Sequence, residues 1–326
     1  MDRRTFLATA VMLATTATAM AQQATVGFPS RPVRIVVPYP AGGNTDAIAR
    51  TIGMKLSEIW KSPVIVENKP GANSMLGTGD VIRAASDGHT ILANISLIVQ
   101  NTFAKDKLPF DTFKELQPLI AATETPMYFV VGRKDGKISA SLEVFLQEAK
   151  SKPGAKSFGS FGNGSTGHLL LLGLERSTSA DITHVPFKGS ADVIVQVLNG
   201  QVSSTFLPYS AIAPHLATGK IKILAVTGNA RSPFSPDVPT FEERGIKGFT
   251  ASQWNGYFIS RRTPLAITQK LVADFDAAIR SPEVSAKLKQ LGLSPVGGTP
   301  EKFEAMIDQD FALTRAALKD NKLKFD

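Results

Sequence analysis

The sequence predicts an α/β protein built as two lobes with a cleft between them. Short apolar runs alternate with amphipathic stretches of helical period, first from Arg31 to Ser96 and again from Met127 to about Gly228. Alternation of this kind produces right-handed βαβ units and a mainly parallel sheet covered on both faces. Glycine-rich turns stand where apolar runs give way to helices, as in "VPYPAGGNTDAIAR" (37–50), "GNGSTG" (162–167) and "KGS" (188–190). A chain of 326 residues has the length for two domains, and 43% apolar with 20% charged residues is the balance of a globular protein.

The elements follow in order. Residues 1–21, "MDRRTFLATAVMLATTATAMA", have a charged start, a small-residue and apolar stretch and an Ala19-Met20-Ala21 end, the pattern of an export leader removed before Gln22. The stretch is too short and too rich in Thr and Ala for a membrane anchor. Arg3-Arg4 followed by Thr5, Phe6 and Leu7 fits a twin-arginine signal or a general secretory one. The first lobe then reads strand "VRIVVPY", helix "NTDAIARTIGMKLSEIW", strand "PVIVEN", turn "KPGANSMLGTG", a helix through Ala85 and strand "TILANIS". An irregular stretch containing "FDTFKELQPLIAATETP" separates it from the second lobe.

That lobe reads strand "MYFVVGR", helix "SLEVFLQEAKS", strand "KSFGSF", helix "HLLLLGLER", strand "ITHVPF", helix "ADVIVQVLNG" and strands "SSTFLP" and "KILAVTG". A Pro-rich passage leads to the extended "TASQWNGYFIS" and to helices at 265–279, 282–291 and 300–319, expected to pack back on the first lobe. The expected division is 22–125 with 251–326 for lobe 1 and 126–250 for lobe 2.

Composition removes several function classes. The chain has no cysteine, which excludes a lipidated cysteine, a disulfide scaffold and a thiolate metal or redox site. Without Asp2, Arg3 and Arg4 the mature chain carries 34 basic and 27 acidic side chains, a net of +7. The lysines are scattered, so this excess reads as a solvated basic surface or an attraction for acidic small molecules, with no nucleic-acid partner expected. His89, His168, His184 and His215 lack metal-ligand spacing, so neither metal nor cofactor is expected.

The glycine turns carry the chemistry. A turn entering a helix leaves N–H groups unpartnered at the positive end of the helix dipole, and an anion is their natural guest. Gly42 and Gly43 give the first turn its flexibility, yet it matches neither a Walker A loop nor G-x-G-x-x-G. The plain alternative is a connector capped by Asn44 or Thr45. Ser165 lies close to His168, but Asn163 stands where a nucleophile elbow needs glycine. In the third turn Ser190 is the expected N-cap, with Asp192 suited to the first helical turn. Among the aromatics, Tyr39, Tyr209 and Trp254 are expected beside the cleft.

The stretches "VPYPAGGNTDAIAR", "VENKPGANSMLGTGDVIRAASDGHTILAN", "GNGSTGHL", "THVPFKGSADVIVQVLNGQV", "APHLATGKIKILAVTG" and "RSPFSPDVPTFEERGIKGF" resemble the extracytoplasmic solute receptors of tripartite tricarboxylate transporters, the Bug receptors. The resemblance runs from about Pro29 to the C-terminus, with the motifs in family order. It implies a type II periplasmic binding protein fold without enzymatic activity. Such a receptor, expected as a monomer, closes on an organic acid and delivers it to a small and a large membrane subunit.

By the same resemblance, the ligand carboxylate meets the first turn at Tyr39, Ala41, Gly42, Gly43, Thr45 and Asp46, with Ser96 from the same lobe. The second lobe supplies Asn163, Gly164, Ser165, Thr166 and His168, and then Lys188, Gly189, Ser190 and Asp192. Leu207-Pro208 departs from the family's usual Asp-Asn at that strand end. Two other readings share parts of the pattern: a sensory receptor feeding a membrane kinase, and an exported α/β hydrolase using Ser165.

Overall fold

The computed structural model describes residues 27–103, 110–133, 136–187, 190–250 and 252–319; the expected leader, 1–21, lies outside them. The chain begins a first sheet with β1 (Val33–Val37), β2 (Val64–Asn68), β3 (Thr90–Ile95) and β4 (Leu116–Pro126). It then builds a second sheet from β5 (Tyr128–Gly132), β6 (Lys156–Ser160), β7 (Ile182–Pro186), β8 (Ser204–Leu207) and β9 (Ile221–Val226). Finally it returns to the first sheet as β10 (Ser252–Ser260) and β11 (Ser294–Pro295). The strand orders are β11-β4-β10-β3-β1-β2 and β7-β6-β8-β5-β9. The pairs β1–β2, β1–β3, β6–β7 and β6–β8 are parallel, while β10, β4 and β11, and β5 with its neighbours, pair antiparallel.

Between the strands lie α1 (Asn44–Trp60), α2 (Met75–Arg83), α3 (Leu97–Asn101), α4 (Thr112–Glu115), α5 (Leu142–Ser151), α6 (Thr166–Thr178), α7 (Ser190–Leu198) and α8 (Tyr209–Leu216). After β10 come α9 (Leu265–Arg280), α10 (Pro282–Gln290) and α11 (Pro300–Lys319). No helix among the described residues is long and apolar enough to cross a membrane.

Burial explains the local sequences. Val33, Ile35, Val36 and Val37 are all fully buried, because helices cover both faces of β1 and the apolar run needs no alternation. Helix α1 buries Ile48, Ala49, Ile52 and Leu56 at the spacing of one helical face, and Gly53 lets it lie close to Val64 of β2. Each sheet has apolar clusters on its two faces, one pair built around Ile35 and Trp254 and the other around Phe129 and Val193.

Two elements differ from expectation. The irregular stretch before Met127 contains β4, eleven residues long and paired with β10 inside the sheet. Its apolar run is buried on both faces and broken by Pro118, so neither strand alternation nor helical period shows. Residues 209–216 form α8, whose internal Pro214 removes a backbone donor and masks the helical pattern. Helices α9 and α10 pack against α1, as expected. Helix α11 covers β4 but also reaches α6 of the second lobe, where Arg176 donates to the Ala316 carbonyl at 3.5 Å.

Candidate functional site

The C-terminal ends of β1, β2 and β3 emerge together because the three strands are parallel. After β1 the chain turns through Pro38–Gly43 into α1. Gly42 has φ 82°, a left-handed conformation that a side chain would resist; Gly43, at φ −77°, has ordinary extended geometry. Only Gly42 therefore needs to be glycine for backbone reasons. Its N–H donates to Asp46 Oδ2 at 3.0 Å, an acceptor that Arg50 Nε also reaches at 3.0 Å. Asn68 Nδ2 and Arg50 Nη2 each reach Asp46 Oδ1 at 2.9 Å. Desolvation alone would raise this carboxyl's pKa, but the bonds from Arg50, Gly42 and Asn68 outweigh it and hold the pKa below the usual range. Asp46 is thus a saturated acceptor that shapes the turn.

Thr45 is likewise turned inward. Its hydroxyl donates to Asn255 Oδ1 at 3.0 Å, and Asn255 Nδ2 reaches Thr123 Oγ1 at 3.3 Å. What the first turn leaves open is backbone. The cap residue Gly43 has no side chain to occupy the helix end, and among the described residues the N–H groups of Gly43, Asn44 and Thr45 have no protein acceptor. Ala41, Gly42 and Gly43 are exposed.

Tyr39 braces this turn against β3, its hydroxyl donating to Asn94 Oδ1 at 2.6 Å; burial pushes its pKa up. Asn94 Nδ2 lies 3.5 Å from Ser74 Oγ and 3.4 Å from Thr78 Oγ1. Asn101 Nδ2 fixes the neighbouring turn by donating to the Asn73 carbonyl at 2.5 Å. There Ala72, Asn73 and Ser74 all have positive φ, local strain that the asparagine bonds hold in place.

On the second lobe β6 runs into the turn 161–165 and then α6. Ser165 caps α6, its Oγ accepting from His168 N at 3.4 Å. Gly164 N–H donates to His168 Nδ1 at 3.1 Å. The imidazole nitrogen nearest this turn therefore serves Gly164 and not the Ser165 hydroxyl. The N–H groups of Thr166 and Gly167 open the helix without an acceptor among the described residues.

Two contacts join the lobes at these turns. Ser96, buried at the end of β3, lies 3.1 Å from Thr166 through their hydroxyls. Asn44 Nδ2 in the first turn of α1 donates to Ser210 Oγ of α8 at 3.0 Å. The structure thus brings the start of α1, Ser96 and the start of α6 to one seam. Lys188 and Gly189 lie outside the described residues. Ser190 opens α7, and Asp192 is exposed in its first turn, on the sheet edge that also carries the 161–165 turn. No group of three His, Asp or Glu among the described residues is placed to hold a metal ion.

One expectation needs correction. Trp254 is core: it is 1% exposed and donates from Nε1 to the buried Asp310 of α11 at 2.8 Å. Leu207 is fully buried among Tyr128, Val130 and Val193, and Pro208 is the cap of α8, so the departure from the family pattern does not put Leu207 on the cleft wall. Sequence reasoning also missed Arg50, Asn68, Asn94, Asn255 and Ser210. The Asp46–Arg50 spacing of four and the asparagines ending two apolar strands beside glycine turns were the available signals.

The comparisons with known proteins agree with this architecture. The family model described as "Tripartite tricarboxylate transporter family receptor" matches residues 48–323. A protein from Pseudomonas sp. strain P51, named for the tcbD–tcbE intergenic region, is 35% identical over 300 residues, 92% of this chain and 88% of the relative. The structure of R. palustris Rpa4515 with adipate superposes with a TM-score of 0.81 at 28% identity, covering 91% of this chain and 99% of the other. MatC (Rpa3494) from Rhodopseudomonas palustris with bound malate gives 0.77 at 28% identity, covering 89% and 100%. The two α/β lobes have the fold of type II periplasmic binding proteins, and the chain belongs to the tripartite tricarboxylate transporter receptor family.

Proposed function

We propose that this chain is a periplasmic receptor that closes its two lobes, 22–125 with 251–326 and 126–250, on a small organic acid. It then passes the acid, as a monomer, to the small and large membrane subunits of a tripartite transporter. One observation carries the reading: α1 and α6, from different lobes, begin at one seam with backbone donors that no described residue uses. Each helix start presents roughly half a positive charge. A ligand with a carboxylate at each end would give one to each helix. The adipate and malate of the two neighbours are acids of that kind, and an aromatic carboxylate is the other class considered.

On this reading Gly43, Asn44, Thr45 and Thr166 bind through backbone N–H, with Ala41, Ser96, Asn163, Ser165, Ser190 and Asp192 around them. Tyr39, Asp46 and His168 hold the turns, and Lys188 and Gly189 complete the set. The leader 1–21 directs export. The reading includes no catalytic step, since His168 Nδ1 is engaged by Gly164 and Ser165 Oγ by a backbone N–H.

A thermal-shift panel of aliphatic di- and tricarboxylates, aromatic carboxylates and amino acids tests the reading. Ligand at about a hundred times its Kd adds roughly 2.7 kcal/mol to stability, so at least one carboxylate should raise the melting temperature by several degrees. A panel in which none does, or turnover of a chromogenic ester that Ser165→Ala abolishes, overturns it.

A further inference from the structure

The second glycine turn rests on two stacked imidazoles. His168 of α6 and His184 of β7 lie with ring centroids 3.7 Å apart and planes 12° from parallel. Each ring holds one glycine of the turn. His168 Nδ1 accepts from Gly164 N at 3.1 Å, so in the neutral ring the proton sits on Nε2. His184 Nε2 lies 2.7 Å from Ser160 Oγ, and that hydroxyl donates to the Gly162 carbonyl at 3.0 Å and accepts from Gly162 N at 3.3 Å. With the Ser160 proton committed to the carbonyl, His184 Nε2 must be the donor. The His168 ring is therefore neutral in this arrangement, and both rings carry a proton on Nε2.

Charging His168 would undo it, and charging His184 would set a cation against the stacked ring. A proton on His168 Nδ1 removes the acceptor from Gly164, and a cation there faces another imidazole at van der Waals distance in a site 5% exposed. Burial pushes both rings down, His168 to about 3 with His184 as its second cause and His184 to about 4. The titratable neighbour of each ring among the described residues is the other ring, and neither has a carboxylate at ion-pair distance.

We propose that His168 and His184 are a stacked, uncharged positioning pair that sets the 162–165 turn for ligand, with His168 acting through Gly164 N–H and not by touching the ligand. The proposal rests on the receptor reading of the cleft. It assigns a role to His184, an isolated histidine on a strand.

Two measurements on the full mature chain test it. In a nitrogen-15 titration, neither His168 nor His184 should titrate between pH 8 and pH 5, and both should show the Nε2–H tautomer; a ring titrating near pH 6.5 overturns the pair. His168→Leu should speed hydrogen exchange at the Gly164 amide at least tenfold and weaken adipate binding at least tenfold. His168→Asn, whose amide oxygen can occupy the place of Nδ1, should restore both to within about threefold of the wild type. Unchanged Gly164 exchange in His168→Leu refutes the positioning role. Restored exchange without restored binding in His168→Asn refutes it in favour of direct ligand contact. If adipate fails to bind the wild-type chain, malate takes its place. Should neither bind, the receptor reading loses support, while the titration and exchange results still decide the pair.

Discussion

Replacing Gly43 with serine should stabilise the empty receptor and weaken its hold on carboxylates, two effects of one added hydroxyl. Gly43 caps α1 at φ −77° and ψ 170°, and no side chain caps the helix. That extended geometry lets a serine Oγ accept from the N–H of Thr45 or Asp46. A Cβ at this position would meet only the Pro40 carbonyl oxygen, at an ordinary 3.5 Å, so nothing has to move. Serine in place of glycine at a cap contributes a few tenths of a kcal/mol, and the lost unfolded-state freedom adds roughly 0.4–1 kcal/mol. The total of about 1 kcal/mol corresponds to a melting increase of roughly 2 °C for a chain of this size. Binding should move the other way. The hydroxyl takes a donor assigned to the ligand, and a hydrogen bond to a charged group is worth roughly 1.5–3 kcal/mol, so Kd should rise roughly 10- to 100-fold. Gly43→Ala fills the same space without an acceptor and isolates the steric part. Thermal melts of the empty proteins and calorimetry with the best acid of the panel give both numbers. A serine variant that melts higher yet binds with the wild-type Kd would refute the assignment of the α1 N-terminus to ligand.

Asp310 and the stacked histidines should give stability opposite slopes with pH. Burial raises the Asp310 carboxyl to about 7, with the Trp254 bond only partly offsetting it. Its contribution is therefore fully present below the ordinary carboxylate range and lost as pH rises to 7, a change on the order of 4 kcal/mol. The histidine pKa values are depressed, so their contribution is present above about pH 6.5 and lost on acidification through about 4 and 3. Asp310→Asn should thus gain relative to wild type at pH 7.5 and lose that advantage at pH 4.5; equal differences in urea midpoint at both pH values contradict this. Intact mass of protein taken from the periplasm should show a start at or near Gln22, and a mass that includes residues 1–21 sinks the export reading. Small-angle scattering should show a smaller radius of gyration at ligand saturation, because the proposed donors come from both lobes; an unchanged radius counts against closure.

Much of the fold was legible because β1, α1, β2 and their counterparts in the second lobe announce themselves by period and by the glycine turns between them. Strand β4 was not, since a strand buried on both faces and interrupted by Pro118 has no alternation to read. Helix α8 was hidden by Pro214. In the candidate site the glycine turns stood out, but side-chain roles inside them did not. Asp46 and Thr45 look like ligand contacts in one dimension, and only the positions of Arg50, Asn68 and Asn255 show them facing inward. Trp254 misled for a related reason: its indole needs a buried acceptor, and Asp310 lies 56 residues further along the chain. The pairing of His168 with His184 depends on the parallel register of β6 and β7, which sets Phe158 beside His184 and Ser160 beside Pro186. Neither motif contains that information.

A crystal structure of the mature chain with the acid that stabilises it most shows directly whether the two helix starts hold the ligand. One carboxylate should lie within hydrogen-bond distance of the backbone N–H groups of Gly43, Asn44 and Thr45, with the lobe-2 turn at Thr166 closing on the same molecule. An acid bound away from both helix starts, or held by one lobe with the other open, would contradict it.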